Sequence, residues 1–326
     1  MKKALPAAAA LAAATLAITG CAPGPSTTET TGSFPESGEV VTLVVPFDAG
    51  GITDVFARLF APELESALGT SVVIENRPGA GGQVGITSML AAPADGYTIG
   101  FTNLPSTLAY LDPARGATYD ESSFSLLGGI GLSPTAIAVS SSGPYETLDD
   151  LIAAAEAAPG EITLATGGSG ASDDFLASVE LEETAGIDLN LVTFEGGSAD
   201  KVTALLGGDI DAVMGSVGGV LAQVASGDMR LIGTATPERS TLTEDVPTFT
   251  EAGYDVTISG TLNIAAPAGV PDDVAAALSA AIEEATSSPE FIEASAVAGF
   301  EVAFTTPEDF AADWAAQQDL IAPLFE

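Results

Sequence analysis

The 326-residue sequence contains no histidine and a single cysteine, Cys21. The lack of histidine excludes a Ser-His-Asp triad, a Cys-His pair and the usual zinc sites, because each of them needs an imidazole. One cysteine cannot build a disulfide framework. A glycosidase-like pair of carboxylates is available among 45 acidic residues, but most of these side chains are expected on solvated helix faces. The sequence therefore favours binding without chemistry, and we predict no enzyme activity, no metal and no cofactor.

Basic residues are also scarce: 8 lysines and arginines oppose the 45 acids, giving a formal net charge of −37 and a pI of about 4.1. A surface of this charge repels nucleic acid and anionic lipid headgroups, so no nucleic-acid partner is expected. The composition is globular, with 46% hydrophobic residues, and the length is typical of about two domains.

The first 20 residues have the pattern of an export signal. A short basic segment precedes an apolar run too short to span a bilayer, and the sequence Ile18-Thr19-Gly20-Cys21 follows. This resembles the lipobox of bacterial lipoproteins, which implies that residues 1–20 are a signal peptide and that Cys21 is lipidated. The alternative is a secreted protein with an incidental cysteine. Residues 21–38 are rich in Pro, Ser, Thr and Gly and predict a flexible tether, so the folded body is expected from Glu39.

The folded body opens with a strand, a glycine turn and a helix. Residues 40–45 form a β-branched apolar run, Gly50 and Gly51 allow a sharp turn, and apolar residues then recur at helical spacing until Gly69. Either Thr53 or Asp54 is predicted to cap this helix. The free N–H groups at such a helix start can bind a carboxylate or phosphate, although many α/β connections of this kind bind nothing.

Three more glycine turns lead from predicted strands into predicted helices, at residues 76–82, 167–172 and 196–198. The first of them is not a dinucleotide fingerprint, because Val84 occupies the third glycine position. In open α/β sheets, ligands bind outside the carboxyl ends of the strands, where such loops converge. Four loops of this type, two in each half, predict an α/β protein with a cleft between two lobes.

Three linked motifs carry a family resemblance. They are Val45-Pro46-Phe47-x-Ala49-Gly50-Gly51-x-x-Asp54, the run Glu75-Asn76-Arg77-Pro78-Gly79-Ala80-Gly81-Gly82, and Asp95-Gly96-Tyr97-Thr98. In this order and spacing they resemble the extracytoplasmic substrate-binding proteins of tripartite tricarboxylate transporters, the Bug receptor family. The resemblance implies a two-lobed periplasmic-binding-protein type 2 fold with two crossing strands. Lobe 1 would comprise residues 39–128 and 236–326, and lobe 2 residues 129–235.

The resemblance also implies a function. The protein would be an extracytoplasmic, lipid-anchored monomer that captures a small organic acid or amino acid. It would deliver this ligand to the large and small integral membrane subunits of a secondary transporter. A ligand sensor that feeds a signalling receptor is the first alternative, and an extracellular enzyme is the second.

The predicted ligand contacts lie in the four glycine turns and after one later strand. In lobe 1 they are Phe47, Asp48, Ala49, Gly50, Gly51, Asp54, Asn76, Gly79 and Gly81. In lobe 2 they are Gly168, Ser169, Gly170, Ser172, Gly196, Gly197 and Ser216. Asp54 could equally serve only as a helix cap, and Arg77 could either contact the ligand or hold its turn.

Acidic residues at two turns depart from the family pattern, namely Asp48 and the pair Asp173-Asp174. A carboxylate ~5 Å from a bound anion would cost roughly 3 kcal/mol at an effective dielectric constant of about 20. One helix terminus contributes less, roughly 0.3–1 kcal/mol and up to ~2. Either Asp48 points away from the ligand, or the ligand carries an ammonium group.

Overall fold

The structure is a computed structural model that describes residues 34–167, 170–194 and 197–325. Eleven strands form two sheets within these ranges: β1 (Val41–Val45), β2 (Val72–Asn76), β3 (Thr98–Leu104), β4 (Phe124–Ser133), β5 (Thr135–Ser140), β6 (Thr163–Gly167), β7 (Asn190–Phe194), β8 (Ala212–Ser216), β9 (Met229–Thr234), β10 (Gly260–Pro267) and β11 (Glu301–Thr305). The α-helices described are α1 (Ile52–Leu68), α2 (Gln83–Leu90), α3 (Leu148–Ala157), α4 (Asp173–Ala185), α5 (Ser198–Gly207), α6 (Val217–Ser226), α7 (Asp272–Thr286), α8 (Pro289–Val297) and α9 (Pro307–Ile321). No helix in the described ranges has both the length and the hydropathy needed to cross a membrane.

The first sheet has the strand order β11-β4-β10-β3-β1-β2. Strands β1, β2 and β3 are parallel, as their β-branched apolar sequences suit, and β10 runs antiparallel to both β3 and β4. Helices α1, α7 and α8 contribute to its main core, in which Phe56 packs against Phe291 and Phe300 at ring distances of 5.2 and 4.6 Å. Because β1 is buried and paired on both sides, with β2 and β3, the turn that follows it has a rigid base.

The second sheet has the order β7-β6-β8-β5-β9. Strands β6, β7 and β8 are parallel, and β5 is antiparallel to β8 and β9. Helices α5 and α6 cover part of this sheet through Val202, Leu205 and Val220. Helix α4 follows β6 in the chain, and α6 follows β8. Because β6 and β8 are parallel, the first turns of these two helices lie at the same edge of the sheet.

The chain passes between the two sheets twice, at Pro134 and through residues 235–259. Ser259 joins the two crossings, because its hydroxyl accepts the Thr135 N–H at 3.2 Å and donates to the Ala235 carbonyl at 2.7 Å. The predicted α/β fold with two lobes is confirmed. The lobe boundaries stay a prediction, and β4 continues unbroken across residues 128 and 129 in the first sheet.

The start of α1 differs from the prediction. The helix begins at Ile52 with Gly51 as its N-cap, so neither Thr53 nor Asp54 is the cap. The reason is that the Asp54 carboxylate turns back to the preceding loop and accepts the Gly50 N–H at 2.7 Å. The predicted end is confirmed, since Gly69 adopts the left-handed conformation with φ 65°.

The described chain begins inside the segment assigned to the tether. Phe34 packs against Tyr97 with a ring-centroid distance of 5.1 Å, and the Glu36 N–H donates to the Tyr97 hydroxyl at 2.9 Å. Cys21 and the predicted signal peptide lie outside the described residues.

Candidate functional site

A cavity of about 420 Å³ lies between the two sheets. The first-sheet side consists of the turn after β1, the end of β3 and the starts of β10 and α1. The second-sheet side consists of the end of β6 and the first turns of α4 and α5. The cavity thus lies where the carboxyl ends of parallel strands from both sheets meet, as expected for a ligand site in this class of fold.

The predicted contact residues divide into three groups. Those that line the cavity are Phe47, Asp48, Gly51, Gly81, Ser172, Gly197 and Ser216. Those that the structure describes but does not place on the cavity wall are Ala49, Gly50, Asp54, Asn76, Gly79 and Gly170. Those outside the described residues are Gly168, Ser169 and Gly196.

Asp54 holds the turn after β1 in place from a position that is not on the cavity wall. Its buried carboxylate accepts the Gly50 N–H at 2.7 Å, Arg58 Nε at 2.9 Å and Asn76 Nδ2 at 2.9 Å. Burial alone raises the pKa of Asp54, but these three donors and the Arg58 charge outweigh it and lower the pKa below its usual value. Asp54 and Arg58 therefore form an i,i+4 ion pair that holds the turn. Asn76 also donates to the Phe47 carbonyl at 3.2 Å, which joins the first and second turns.

The second turn, between β2 and α2, needs left-handed backbone at four successive residues. Gly79, Ala80, Gly81 and Gly82 all have positive φ, from 50° to 134°. Because L side chains rarely adopt these angles, glycine at three of the four positions lets the turn bring Gly81 to the cavity wall. Arg77 in the same segment pairs with exposed Glu75 at 2.7 Å and does not line the cavity.

Three helices begin at the cavity without a side-chain cap. The N-cap residues of α1, α4 and α5 are Gly51, Ser172 and Gly197, and none of them accepts a hydrogen bond from the helix through its side chain. Among the other described α-helices, α3, α6, α8 and α9 have Thr or Ser caps that bond the N3 N–H, whereas α2 and α7 have none. All three first turns carry a positive dipole end, and those of α1 and α5 also present N–H donors, which favours an anion in the cavity. In α4 the Phe175 N–H donates to the Asp174 carboxylate at 2.9 Å.

A buried ion pair forms the second-sheet wall. Lys201 Nζ donates to Asp174 at 2.6 Å and to the Met214 carbonyl at 3.0 Å, while Asp174 also accepts the Gly167 N–H at 2.7 Å. The two side chains are only 5% and 9% exposed. Lys201 was not among the contact residues predicted from the sequence. Its scarcity was the available signal, because it is one of 8 basic residues and follows a glycine turn by one helical turn.

Asp173, the first residue of α4, faces the cavity beside this pair. Its carboxylate accepts the Thr135 hydroxyl at 2.5 Å, which links it to the start of β5 at the first crossing. Burial, and next the charge of Asp174, raise the pKa of Asp173 to about 6. The Thr135 hydroxyl and Lys201 oppose this rise.

Two other buried polar atoms on the wall have no hydrogen-bond partner within the described part of the chain, Asn103 Oδ1 and Ser172 Oγ. Asn103 lies near the end of β3, and its Nδ2 donates to the Thr53 hydroxyl at 3.1 Å. Buried polar atoms are usually hydrogen-bonded, so both are available to a ligand.

The two sides also touch directly next to the cavity. A Cβ on Gly218 in α6 would lie 2.6 Å from the Ala298 carbonyl oxygen, and a Cβ on Gly299 would lie 2.3 Å from Gly218 Cα. Ile52, which lines the cavity, lies at the same contact. Only glycine fits this approach, so the lack of side chains at both positions allows the two sides to lie this close.

The cavity supports binding more readily than catalysis. Among the described residues, no group of three or more His, Cys, Asp or Glu side chains is arranged to hold a metal ion. Its wall combines backbone donors, hydroxyls, one amide, one ion pair and two further carboxylates.

Comparison with known proteins identifies a family to which the chain is similar. The profile of the family described as "Tripartite tricarboxylate transporter family receptor" matches residues 56–321. Protein BugT of Bordetella pertussis is 32% identical over 274 residues, covering 82% of each chain. A Pseudomonas protein described as "UPF0065 protein in tcbD-tcbE intergenic region" is 30% identical over 273 residues. The match covers 82% of this chain and 80% of the Pseudomonas chain.

Solved structures agree with the sequence comparison. The periplasmic binding protein BugD has a TM-score of 0.74 at 29% identity, covering 88% of this chain and 97% of its own. MatC of Rhodopseudomonas palustris, solved with bound malate, has a TM-score of 0.77 at 25% identity, covering 89% and 100%. R. palustris Rpa4515, solved with adipate, has a TM-score of 0.75 at 26% identity, covering 86% and 94%. The predicted resemblance is confirmed: the chain belongs to the tripartite tricarboxylate transporter family of receptors, which are solute-binding proteins and not enzymes.

Proposed function

We propose that this protein captures a small carboxylate-bearing metabolite, an organic acid or an amino acid, outside the cytoplasmic membrane. The observation that carries the proposal is the convergence of three uncapped helix starts on one cavity. The first turns of α1 and α5 offer unpaired N–H donors to an oxygen anion, whereas in α4 the Phe175 N–H already donates to Asp174 at 2.9 Å. The malate and adipate bound to MatC and Rpa4515 support the same ligand class.

The cavity sets the size of the ligand. A volume of about 420 Å³ lies at the small end of the range of about 300–1,000 Å³ found for ligand pockets. The opening between the sheets, with two crossings joined at Ser259, is consistent with capture by closure of one side on the other.

Delivery and anchoring complete the proposal. The family to which the chain belongs implies a large and a small integral membrane subunit as the acceptors of the ligand. The lipobox-like sequence that ends at Cys21 supports a lipid anchor on the outer side of the membrane, which would keep the monomeric receptor near its transporter. One acyl chain gives only marginal membrane binding, so a stable anchor would need two or more.

A thermal-shift screen of carboxylates and amino acids tests capture. A ligand present at 100 times its dissociation constant should stabilise the protein by about 2.7 kcal/mol. The blocking variant is Ser106→Trp, which places an indole at the cavity wall. Its matched control is Ser122→Trp, on an exposed single-turn helix away from the cavity. Binding by the wild type and the control, with loss in the blocking variant, supports the proposal. A flat response across the whole screen rejects it.

Cell fractionation and uptake test the remaining parts. Cys21→Ala should move the protein from the membrane fraction to the soluble extracytoplasmic fraction. Uptake of a ligand found in the screen should depend on the receptor and on both membrane subunits. Unchanged membrane attachment in Cys21→Ala contradicts the anchor, and uptake that persists without the receptor contradicts delivery.

A further inference from the structure

Asp173 is placed where a ligand would meet it. It lines the cavity at the first residue of α4, and one carboxylate oxygen accepts the Thr135 hydroxyl at 2.5 Å. A Cβ on Gly260, on the opposite side of the crossing, would lie 3.4 Å from the same carboxylate oxygen. Because Gly260 has no side chain, the backbone of β10 leaves room beside Asp173. Among the described side chains only Thr135 hydrogen-bonds this carboxylate, which also accepts its own backbone N–H, so it retains acceptor capacity for a ligand.

The charge of the cavity wall is unbalanced toward acid. Asp48, Asp173 and Asp174 line the cavity, against Lys201 as the single basic side chain on the described wall. Lys201 is already committed to Asp174 and to the Met214 carbonyl. Asp48 is an exposed residue of the wall and forms no side-chain hydrogen bond or ion pair within the described residues, so neither Asp48 nor Asp173 has an ion-pair partner there.

The uncapped helix starts favour a negative group on the ligand, whereas the carboxylates of Asp48 and Asp173 favour a positive group. The helix starts favour a carboxylate group on the ligand, as in the proposed function. A second carboxylate on the same ligand would lie in a cavity that already holds Asp48 and Asp173, where like charges repel at low dielectric. A ligand with one carboxylate and one ammonium group meets both requirements. Burial, and next the charge of Asp174, raise the pKa of Asp173 to about 6 against the opposing charge of Lys201, so this carboxylate is mostly ionised at pH 7.5.

We propose that Asp173 binds a positively charged amine of the ligand, and that this receptor therefore takes amine-bearing carboxylates in preference to dicarboxylates of the same length. The proposal rests on the proposed function, because it assigns the second charge of a ligand whose carboxylate binds the helix starts. Asp48, on the first-sheet side of the cavity, adds to the preference for a positive ligand, but the proposal assigns it no contact with the amine.

Matched ligand pairs test the preference in the purified full chain by isothermal titration calorimetry. The pairs are 4-aminobutyrate with glutarate, and 5-aminovalerate with adipate. In each pair an ammonium group replaces one carboxylate. The wild type is expected to bind the amine-bearing member at least tenfold more tightly at pH 7.5. Tighter binding of the dicarboxylate overturns the proposal while leaving the proposed function intact, whereas binding of no carboxylate of either kind rejects the proposed function itself.

Variants identify the residue. Asp173→Asn keeps an acceptor for Thr135 but removes the charge, so it should weaken the amine-bearing ligand at least tenfold and narrow or invert the preference. Asp209→Asn removes an exposed carboxylate at the far end of α5 and should change neither affinity. Equal weakening of both pair members in Asp173→Asn indicates general damage to the site and contradicts the proposal. The melting temperature of each variant shows that it is folded.

The pH dependence gives an independent readout. The charged groups that face Asp173 are Asp174 on α4, Lys201 on α5 and Asp48 across the cavity, with the Thr135 hydroxyl on β5. Protonation of Asp173 below about pH 6 removes the partner of the amine, so affinity for 4-aminobutyrate should fall on acidification. Affinity for glutarate should not fall with it. A glutarate affinity that rises and overtakes that of 4-aminobutyrate only at low pH agrees with the proposal, and an amine affinity unchanged from pH 7.5 to 5 contradicts it.

Discussion

Replacement of Lys201 by methionine should destabilise the protein strongly. The ammonium group is 2.6 Å from Asp174, and the two side chains are 5% and 9% exposed. Removal of one partner of a buried pair leaves the other charge uncompensated, which typically costs about 3–5 kcal/mol. Asp174 keeps the Gly167 and Phe175 N–H groups at 2.7 and 2.9 Å, so a loss of about 3 kcal/mol in the free energy of unfolding is expected.

Urea unfolding followed by circular dichroism measures this loss, and an exposed ion pair supplies the control. Arg77 and Glu75 pair at 2.7 Å, but their side chains are 47% and 43% exposed, so Arg77→Met should cost about 0–1 kcal/mol. The double variant Asp174→Asn/Lys201→Met removes both charges. It should be more stable than the sum of the two single losses predicts, because neither charge is left buried alone.

Two results would refute the reasoning about the pair. The first is a Lys201→Met loss no larger than that of Arg77→Met. The second is strict additivity of the two single losses in the double variant, which would mean that Asp174 and Lys201 contribute independently.

Three further predictions follow from other parts of the chain. Gly218→Val places a side chain against the Ala298 carbonyl and should hold the two sides apart. X-ray scattering should then show a larger radius of gyration, and calorimetry at least tenfold weaker ligand binding. An unchanged radius and affinity would contradict the contact. Burial and the nearby charge of Asp255 raise the pKa of Glu180 to about 7 from 4.5, so the folded state binds this proton more tightly and stability should fall as pH rises between those values. Glu180→Gln should flatten part of that fall in a series of melting temperatures, and an unaltered pH profile would refute it. Trp314→Ala, at a fully buried indole, should cost about 3–5 kcal/mol in urea unfolding, and a cost below about 1 would contradict its role in the core.

The local signals in the sequence predicted the turns that build the site. Gly50 after a β-branched run (φ 82°) and Gly197 before a helical run (φ 75°) each produce a turn through a conformation that glycine permits. Such signals lie within a few residues of one another, so the sequence shows them directly. The helix start at Ile52 was misplaced because Asp54 bonds Gly50 instead of capping, a choice that depends on Asn76 from a different strand.

Strand β4 shows what the sequence could not predict. It contains Gly128, Gly129 and Gly131, and glycine is normally depleted in strands. In the structure, a Cβ at Gly129 or Gly131 would collide with Thr305 or Glu301 on β11, so these glycines allow the close pairing of distant segments. The requirement becomes visible only when both strands are in place.

Lys201 was overlooked for a similar reason. A lysine on a helix is ordinarily solvated, and its partner Asp174 is 27 residues away in the sequence. The pair exists because α4 and α5 begin side by side at the edge of the second sheet, a relation that neither helix encodes alone.

The N-cap residues of α1, α4 and α5 leave these helix starts without a side-chain cap from the protein itself. A solute that accepts their N–H groups completes secondary structure on both sides of the cavity at once. Under the proposed function, the solute would therefore act as part of the secondary structure while it is bound, and its release would return these helix starts to their uncapped state.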